Sequence, residues 1–156
     1  MVFIITGGVN TGKTTLFERI HKRQGGGGFS LPKIIVNNQF KGYWIKDLNT
    51  GEKTEFALIE SMDGYLYKMG RFYFLPQGME FARRIYKKAI ETEEKNFFID
   101  EIGPLELEDK GFSHIFRDAL TSFENIYVVV RESCLDDVIR EFGLNEYKLV
   151  RKDGGI

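Results

Sequence analysis

Eight residues near the start of the chain, Gly7-Gly8-Val9-Asn10-Thr11-Gly12-Lys13-Thr14, lie between two stretches of different periodicity. Before them, Val2-Phe3-Ile4-Ile5 is continuously apolar and reads as a buried strand; after them, residues 14–23 carry the three-four spacing of a helix. A strand that runs through a glycine-rich bend straight into a helix leaves little choice of fold. The bend must be tight, and successive backbone N–H groups and the positive end of the helix then converge on one point. Gly, four variable residues, Gly, Lys and then Ser or Thr is the spacing whose backbone wraps phosphate oxygens. On that pattern Lys13 adds a full positive charge beside the outer phosphates, and the Thr14 hydroxyl supplies a ligand to Mg²⁺.

The rest of the chain alternates strands with helices. A helix over 14–24 sets Leu16, Phe17 and Ile20 against Glu18, Arg19, Lys22 and Arg23, with His21 on the polar side. The glycines at 25–28 stop it and read as a mobile surface loop. Residues 29–60 change character: Ile34-Ile35-Val36, Tyr43-Trp44-Ile45 and Phe56-Ala57-Leu58-Ile59 are separated by Asn37-Asn38 and Asn49-Thr50-Gly51, which predicts an inserted antiparallel meander. Residues 61–75 are predicted to hold a short strand and loops. A helix beginning near Gln77 carries Ala82, Ile85, Tyr86, Ala89 and Ile90 as its buried stripe, and a second carries Phe112, Ile115, Phe116, Ala119, Leu120 and Phe123. Ile126-Tyr127-Val128-Val129-Val130 reads as a strand covered on both faces. Ser133 with Asp136 is predicted to cap a further helix that Gly143 ends, before a last strand at 147–150 and a frayed tail at 153–156. The fold class is therefore α/β, a mainly parallel sheet flanked by helices, and the length of 156 residues suits a single domain over 1–156.

Ligands of such sheets bind at the carboxyl ends of the strands, and Gly7, Asp100 and Arg131 all fall at or just beyond such ends. Asn96-Phe97-Phe98-Ile99-Asp100-Glu101 is an apolar strand closed by two acids. Asp100 on that pattern holds Mg²⁺ on the same side as Thr14, and Glu101 polarises a water aimed at the terminal phosphate. A transferring phosphoryl group also gains from an extra positive charge, for which Arg131 and Arg71 are the candidates. Arg131 has the alternatives of stacking on the base or pairing with Asp136, and Arg71 that of an ordinary surface residue. Glu106 either orients a water or partner loop or is simply exposed. The aromatics Tyr43, Trp44, Tyr65, Tyr67, Phe72 and Tyr73 are expected chiefly to pack the inserted sheet, with one available to stack on a base. His21 and His114 have no zinc-like spacing around them. The guanine-reading pattern Asn-Lys-x-Asp is not matched by Asn145-Glu146-Tyr147-Lys148, so a site held by its phosphates is expected to accept ATP, GTP, CTP and UTP.

Composition removes several classes of partner. A formal net charge of −1 gives no basic footprint for nucleic acid or an anionic membrane, though a local patch is compatible with it. The single cysteine, Cys134, allows no internal disulfide, and no apolar run approaches the roughly 20 residues of a membrane span. With the first strand starting directly after Met1, a cytoplasmic location is expected.

Three motifs together, Gly7 to Thr15, Gly70-Arg71-Phe72-Tyr73 and Ile99-Asp100-Glu101-Ile102-Gly103-Pro104-Leu105-Glu106-Leu107, resemble the small thermostable type of nucleoside triphosphatase, related to the human cancer-related nucleoside triphosphatase. The resemblance spans nearly the whole chain, and Asp-Glu-Ile-Gly followed by Leu-Glu is its most specific part. It implies a P-loop NTPase fold with an inserted antiparallel region and Mg²⁺-dependent hydrolysis of nucleoside triphosphates to diphosphate and phosphate with loose base preference. Gly7, Gly8, Val9, Asn10, Thr11, Gly12, Lys13, Thr14 and Thr15 are implied to bind phosphates and Mg²⁺, with Asp100 and Glu101 as above. The chain departs from the family at Leu31-Pro32-Lys33 and at Arg131-Glu132-Ser133, which bear on the base pocket and on any loop-supplied arginine. Two other readings stand beside hydrolysis: a nucleotide or nucleoside kinase, which needs an acceptor pocket and a basic lid, and a nucleotide-dependent module that binds RNA or protein.

Overall fold

Strand Val2–Thr6 (β1) is apolar at every position but the last, and it enters the sheet between two parallel neighbours, Asn125–Val130 (β9) and Tyr147–Arg151 (β10). The computed structural model describes residues 1–7 and 12–151. β9 pairs in parallel with Asn96–Ile102 (β8), and β8 in parallel with Gly27–Ser30 (β2), giving the parallel order β10-β1-β9-β8-β2. Beyond β2 the sheet turns antiparallel through Gln39–Asp47 (β4), Lys53–Leu58 (β5), Phe72–Phe74 (β7) and Tyr67–Met69 (β6), while Lys33–Val36 (β3) pairs with β4. The antiparallel strands thus run on to Phe74, and the segment at 61–75 contributes a hairpin to them.

Because side chains alternate along a strand, each face of the sheet takes its own helices. Helix Lys13–Gln24 (α1) lays Leu16, Phe17 and Ile20 on the face that carries Ile5, Phe98, Tyr127 and Val129. The opposite face, with Ile4, Phe97, Ile99, Val128 and Val130, is covered by Pro76–Glu91 (α2), Ser113–Ser122 (α4) and Leu135–Glu141 (α5). α2 starts with Pro76 in its first turn, where no intrahelical donor is lost, and buries Met79, Ala82, Ile85 and Ala89. Ile90, expected in that stripe, points outward at 40% exposure. A single-turn helix, Pro104–Leu107 (α3), follows β8. Each fully buried aromatic, such as Phe17, Phe97 and Phe98, contributes on the order of 2–3 kcal/mol through the apolar area it removes from water.

Three local expectations are corrected. Gly27 and Gly28, read as part of a mobile loop, form a buried strand, because β2 runs so close to β8 that a Cβ on Gly28 would stand 2.3 Å from the Phe98 carbonyl oxygen. His21, placed on the polar side of α1, is 7% exposed; its Nε2 lies 2.8 Å from the Gly26 carbonyl oxygen and its ring packs edge-on against Phe98. Ser133 does not cap α5: it lies in a 3-10 turn, Glu132–Cys134, that leads into the helix, whose cap position is Cys134. Gly143 does end α5, in the left-handed conformation that spares a Cβ. The tail at 153–156 lies outside the described residues. No helix among the described residues is long and apolar enough to cross a membrane.

Candidate active site

The head of α1 and the carboxyl ends of β8 and β9 open into one cavity of about 1090 Å³, lined on one side by Gly12, Lys13, Thr14 and Thr15 and on another by Asp100, Glu101 and Arg131. Gly12 adopts φ 79°, ψ 29° at the head of α1, a left-handed turn that costs glycine little. The first turn of α1 carries no acidic residue, and Gly12, Lys13, Thr14 and Thr15 line the cavity, so the positive end of the helix adjoins it. Lys13 reaches back along the loop, its Nζ 3.4 Å from the Gly7 carbonyl oxygen. Gly8, Val9, Asn10 and Thr11, expected to complete the cradle, lie outside the described residues.

Thr14 and Asp100, 86 positions apart in the chain, meet here. The Thr14 hydroxyl donates to Asp100 Oδ2 at 2.9 Å, and the Leu31 backbone N–H donates to the same oxygen at 3.3 Å. Asp100 is 3% exposed. Burial first, and the neighbouring Glu101 carboxylate second, push its carboxyl up to about 7, while the hydrogen bonds from Thr14 and Leu31 pull the other way. A hydroxyl and a carboxylate in contact are hard oxygen donors of the kind Mg²⁺ takes. Among the described residues no cluster of three or more metal-binding side chains exists.

A bulge re-aims the next residue. Asp100 pairs with Val129 and Ile102 with Val130, so Glu101 is the extra residue on β8. Both carboxylates therefore line the cavity, although successive residues of a regular strand face opposite ways. The peptide bond between the two acids is cis. Glu101 keeps 28% side-chain exposure, and the Arg131 Nη2 lies 3.2 Å from its Oε1. Burial raises the Glu101 carboxyl above its ordinary value, while Arg131 and, less strongly, Lys13 draw it down. The Arg131 pairing with Asp136 is thus replaced by one with Glu101.

Arg71 comes from the far wall, at the turn between β6 and β7, with its guanidinium carbon 5.1 Å from the Phe40 ring centre and 5.4 Å from that of Phe72. Glu106 is neither exposed nor aimed at a water: at 4% exposure its two oxygens accept the Gly103 and Phe112 backbone N–H groups at 2.8 and 2.9 Å. Burial pushes its carboxyl up to about 7 against those two hydrogen bonds. Two contributors to the cavity were not singled out for this role from sequence: the Leu31 amide on Asp100 and the Glu106 brace behind Glu101. The signals were present in the unusual Leu31-Pro32-Lys33 and in the Gly103 and Gly111 that flank Glu106; a Cβ on Gly111 would collide with Glu106 Oε2.

A family model described as NTPase matches residues 2–152. The chain belongs to that family. It is 30% identical over 134 residues to the nucleoside-triphosphatase THEP1 of Sulfolobus acidocaldarius, a match covering 83% of this chain and 76% of the relative. The nucleoside-triphosphatase THEP1 of Methanothermobacter thermautotrophicus is 28% identical over 145 residues, covering 88% and 80%. Among solved structures, THEP1 of Aquifex aeolicus superimposes with a TM-score of 0.73 at 26% identity, over 97% of this chain and 89% of that one. A human cancer-related nucleoside triphosphatase shares the fold, with a TM-score of 0.69 at 19% identity over 94% and 86%. The expected α/β architecture and family are thereby borne out.

Proposed function

We propose that this member of the NTPase family is a Mg²⁺-dependent nucleoside triphosphatase of broad base range, converting a nucleoside triphosphate and water into the diphosphate and phosphate within one catalytic domain, residues 1–156. The observation that carries it is the Thr14–Asp100 contact at 2.9 Å with Glu101 adjoining in the same cavity as Lys13. Gly7 to Thr15 bind the phosphates, the α1 N-terminus and Lys13 neutralise them, and Thr14 and Asp100 hold Mg²⁺, which when bound offsets charge on the phosphate oxygens. Glu101 takes the proton of the attacking water. Arg131, beside it, and Arg71, from the facing hairpin, stabilise charge that spreads over the terminal phosphoryl oxygens. Phosphate contacts are the same for every base, which supports the use of ATP, GTP, CTP and UTP alike.

The test is phosphate release from each of the four triphosphates, with and without Mg²⁺, by wild type and Glu101→Gln. Release is expected with all four, only with Mg²⁺, and about 10²- to 10⁴-fold slower in the variant while nucleotide binding persists. Equal turnover in the two proteins removes Glu101 from the chemistry, and a thousandfold preference for one triphosphate removes the broad range.

A further inference from the structure

Glycine has two ordinary uses in a fold: it takes a left-handed φ, or it leaves out a Cβ for which there is no room. Among the described residues every glycine but one meets one of these, Gly27 and Gly78 through crowding and the others through φ. Gly103 meets neither. Its φ of −158° is an extended angle open to any residue. Chain neighbours aside, a Cβ added to it would find one described atom within 4 Å, Glu101 Oε1 at 3.7 Å. Gly103 and Glu101 line the same cavity, so the room that a side chain would take lies beside the proposed base.

Gly103 has no donor to give the site. Its N–H is committed to Glu106 Oε1 at 2.8 Å, and Glu106 Oε2 accepts the Phe112 N–H at 2.9 Å, so the buried carboxyl ties Gly103 to the head of α4. Gly103 is itself buried, which shelters the spot from bulk solvent. Glu101 Oε1 accepts from Arg131 Nη2 at 3.2 Å, and a carboxylate oxygen has capacity for a second donor. A water donating to Oε1 at about 2.8 Å on the Gly103 side would overlap a methyl group placed there. Lys13 is within electrostatic reach of the same carboxylate, which brings the outer-phosphate end of the cavity to this corner.

We propose that Gly103 is the positioning residue for the attacking water: the room left by its absent side chain holds that water against Glu101 Oε1. The proposal rests on the triphosphatase reading and adds to it where the water stands. From there the water oxygen forms the new bond to the γ-phosphorus while one of its protons passes to Glu101. The bond from that phosphorus to its bridging oxygen breaks, and the electron pair leaves with the diphosphate. A methyl on Gly103 would take the water's place at ordinary contact distance from Oε1, so the carboxylate has no cause to move. Among the described residues it would meet neither the Thr14–Asp100 pair nor Lys13. It therefore acts on turnover and spares nucleotide binding.

The experiment compares wild type with Gly103→Ala in phosphate release from ATP and Mg²⁺, and in crystal structures of each bound to Mg²⁺, ADP and aluminium fluoride, which stands for the transferring phosphoryl group. In wild type a water is expected within hydrogen-bond distance of Glu101 Oε1, against the Gly103 Cα and in line with the fluoride complex. In Gly103→Ala that water should be lost and kcat should fall about 10- to 100-fold. KM for ATP and the affinity for a non-hydrolysable ATP analogue should stay within about twofold, with closely similar urea midpoints. An unchanged kcat in the folded variant overturns the proposal. So does a loss of analogue affinity as large as the loss of kcat, because the glycine then serves binding. If the alanine variant does not fold, the wild-type complex decides alone: an in-line water against Gly103 supports the proposal, and one placed elsewhere overturns it. Wild type that releases no phosphate with Mg²⁺ sinks the triphosphatase reading and this proposal with it, whereas release with the water elsewhere sinks only this proposal.

Discussion

Arg131, at the end of β9, holds a guanidinium nitrogen 3.2 Å from Oε1 of Glu101, at the end of the neighbouring β8. With 45% and 28% of the two side chains exposed, the pair is screened by water and adds less than about 1 kcal/mol to stability. Its effect falls on protonation. Burial raises the Glu101 carboxyl and Arg131 is the largest influence that lowers it. Removing Arg131 therefore lets the carboxyl rise further, so a larger fraction of the proposed base is protonated at a given acidic pH. Arg131→Ala is expected to move the acid limb of the pH–rate profile to higher pH, slowing phosphate release on that limb by up to about tenfold for each unit of displacement. Arg131→Lys, which keeps the charge, should restore most of the limb. A profile between pH 5 and 9 that keeps its acid limb in Arg131→Ala would show that the pair does not tune the base.

Asp100 gives a second pH dependence, this time in metal requirement. Its carboxyl lies up at about 7, held there by burial and by Glu101, and a carboxylate must shed its proton to take a cation. Half-saturating Mg²⁺ for phosphate release is expected to fall about fivefold from pH 6 to pH 7, about tenfold by pH 8, and to level off above, as the proton stops competing. Asp100→Asn keeps the shape beside Thr14 but has no charge to offer, so it should need at least about tenfold more Mg²⁺ and lose that pH dependence. Mg²⁺ titrations of both proteins at each pH measure this.

Glu106 bears on stability. Its carboxyl is raised from 4.5 to about 7 in the folded chain. Below pH 4.5 it is protonated folded and unfolded alike, and its full contribution is present. Between 4.5 and about 7 the unfolded chain releases the proton and the folded one keeps it, so stability falls as pH rises, by at most about 1.4 kcal/mol per pH unit. Above about 7 the loss is complete. Glu106→Gln can satisfy only one of the Gly103 and Phe112 N–H groups through its single carbonyl oxygen, so at pH 5 it is expected to be less stable by about 1–3 kcal/mol. The gap between the two proteins should close toward pH 8. Urea unfolding at pH 5, 6.5 and 8 tests this, and parallel pH slopes in wild type and variant would contradict it.

What could be read from the residues was what repeats or is local. The apolar run before Gly7, the three-four spacing of Leu16, Phe17 and Ile20, and the unbroken Ile126-Tyr127-Val128-Val129-Val130 each state their own environment, and the structure gives them the expected strand, helix and strand. What depended on a distant neighbour was not legible. His21 looks polar on a helical wheel, but its ring is covered by Phe98 and its nitrogen meets Gly26, which the local pattern does not encode. Glu106 looks like any acid after a turn, and only the fold brings Phe112 N–H onto it. The Arg131–Glu101 pair, 30 residues apart, follows from β8 and β9 lying side by side and from a bulge at Glu101.

The glycine run shows the same limit and supplies a sharp test. Four glycines at 25–28 read as slack because glycine is permissive, yet the second pair is used for closeness. Gly28 sits at φ +150° in β2, and an added Cβ would stand 2.3 Å from the Phe98 carbonyl oxygen and 2.8 Å from its nitrogen, backbone atoms of β8 that are fixed by its pairing to β9. They cannot yield without parting the strand that carries Asp100 and Glu101. Gly28→Ala is therefore expected to destabilise the fold by about 3 kcal/mol or more. Gly51 provides the comparison: at φ +79° a Cβ added to it would meet no atom within 4 Å, so Gly51→Ala carries only the left-handed backbone penalty, about 1 kcal/mol. Urea or thermal unfolding of the two variants measures the difference. Equal losses would mean that β2 is not pressed against β8, and the run would revert to the loose loop that its composition suggests.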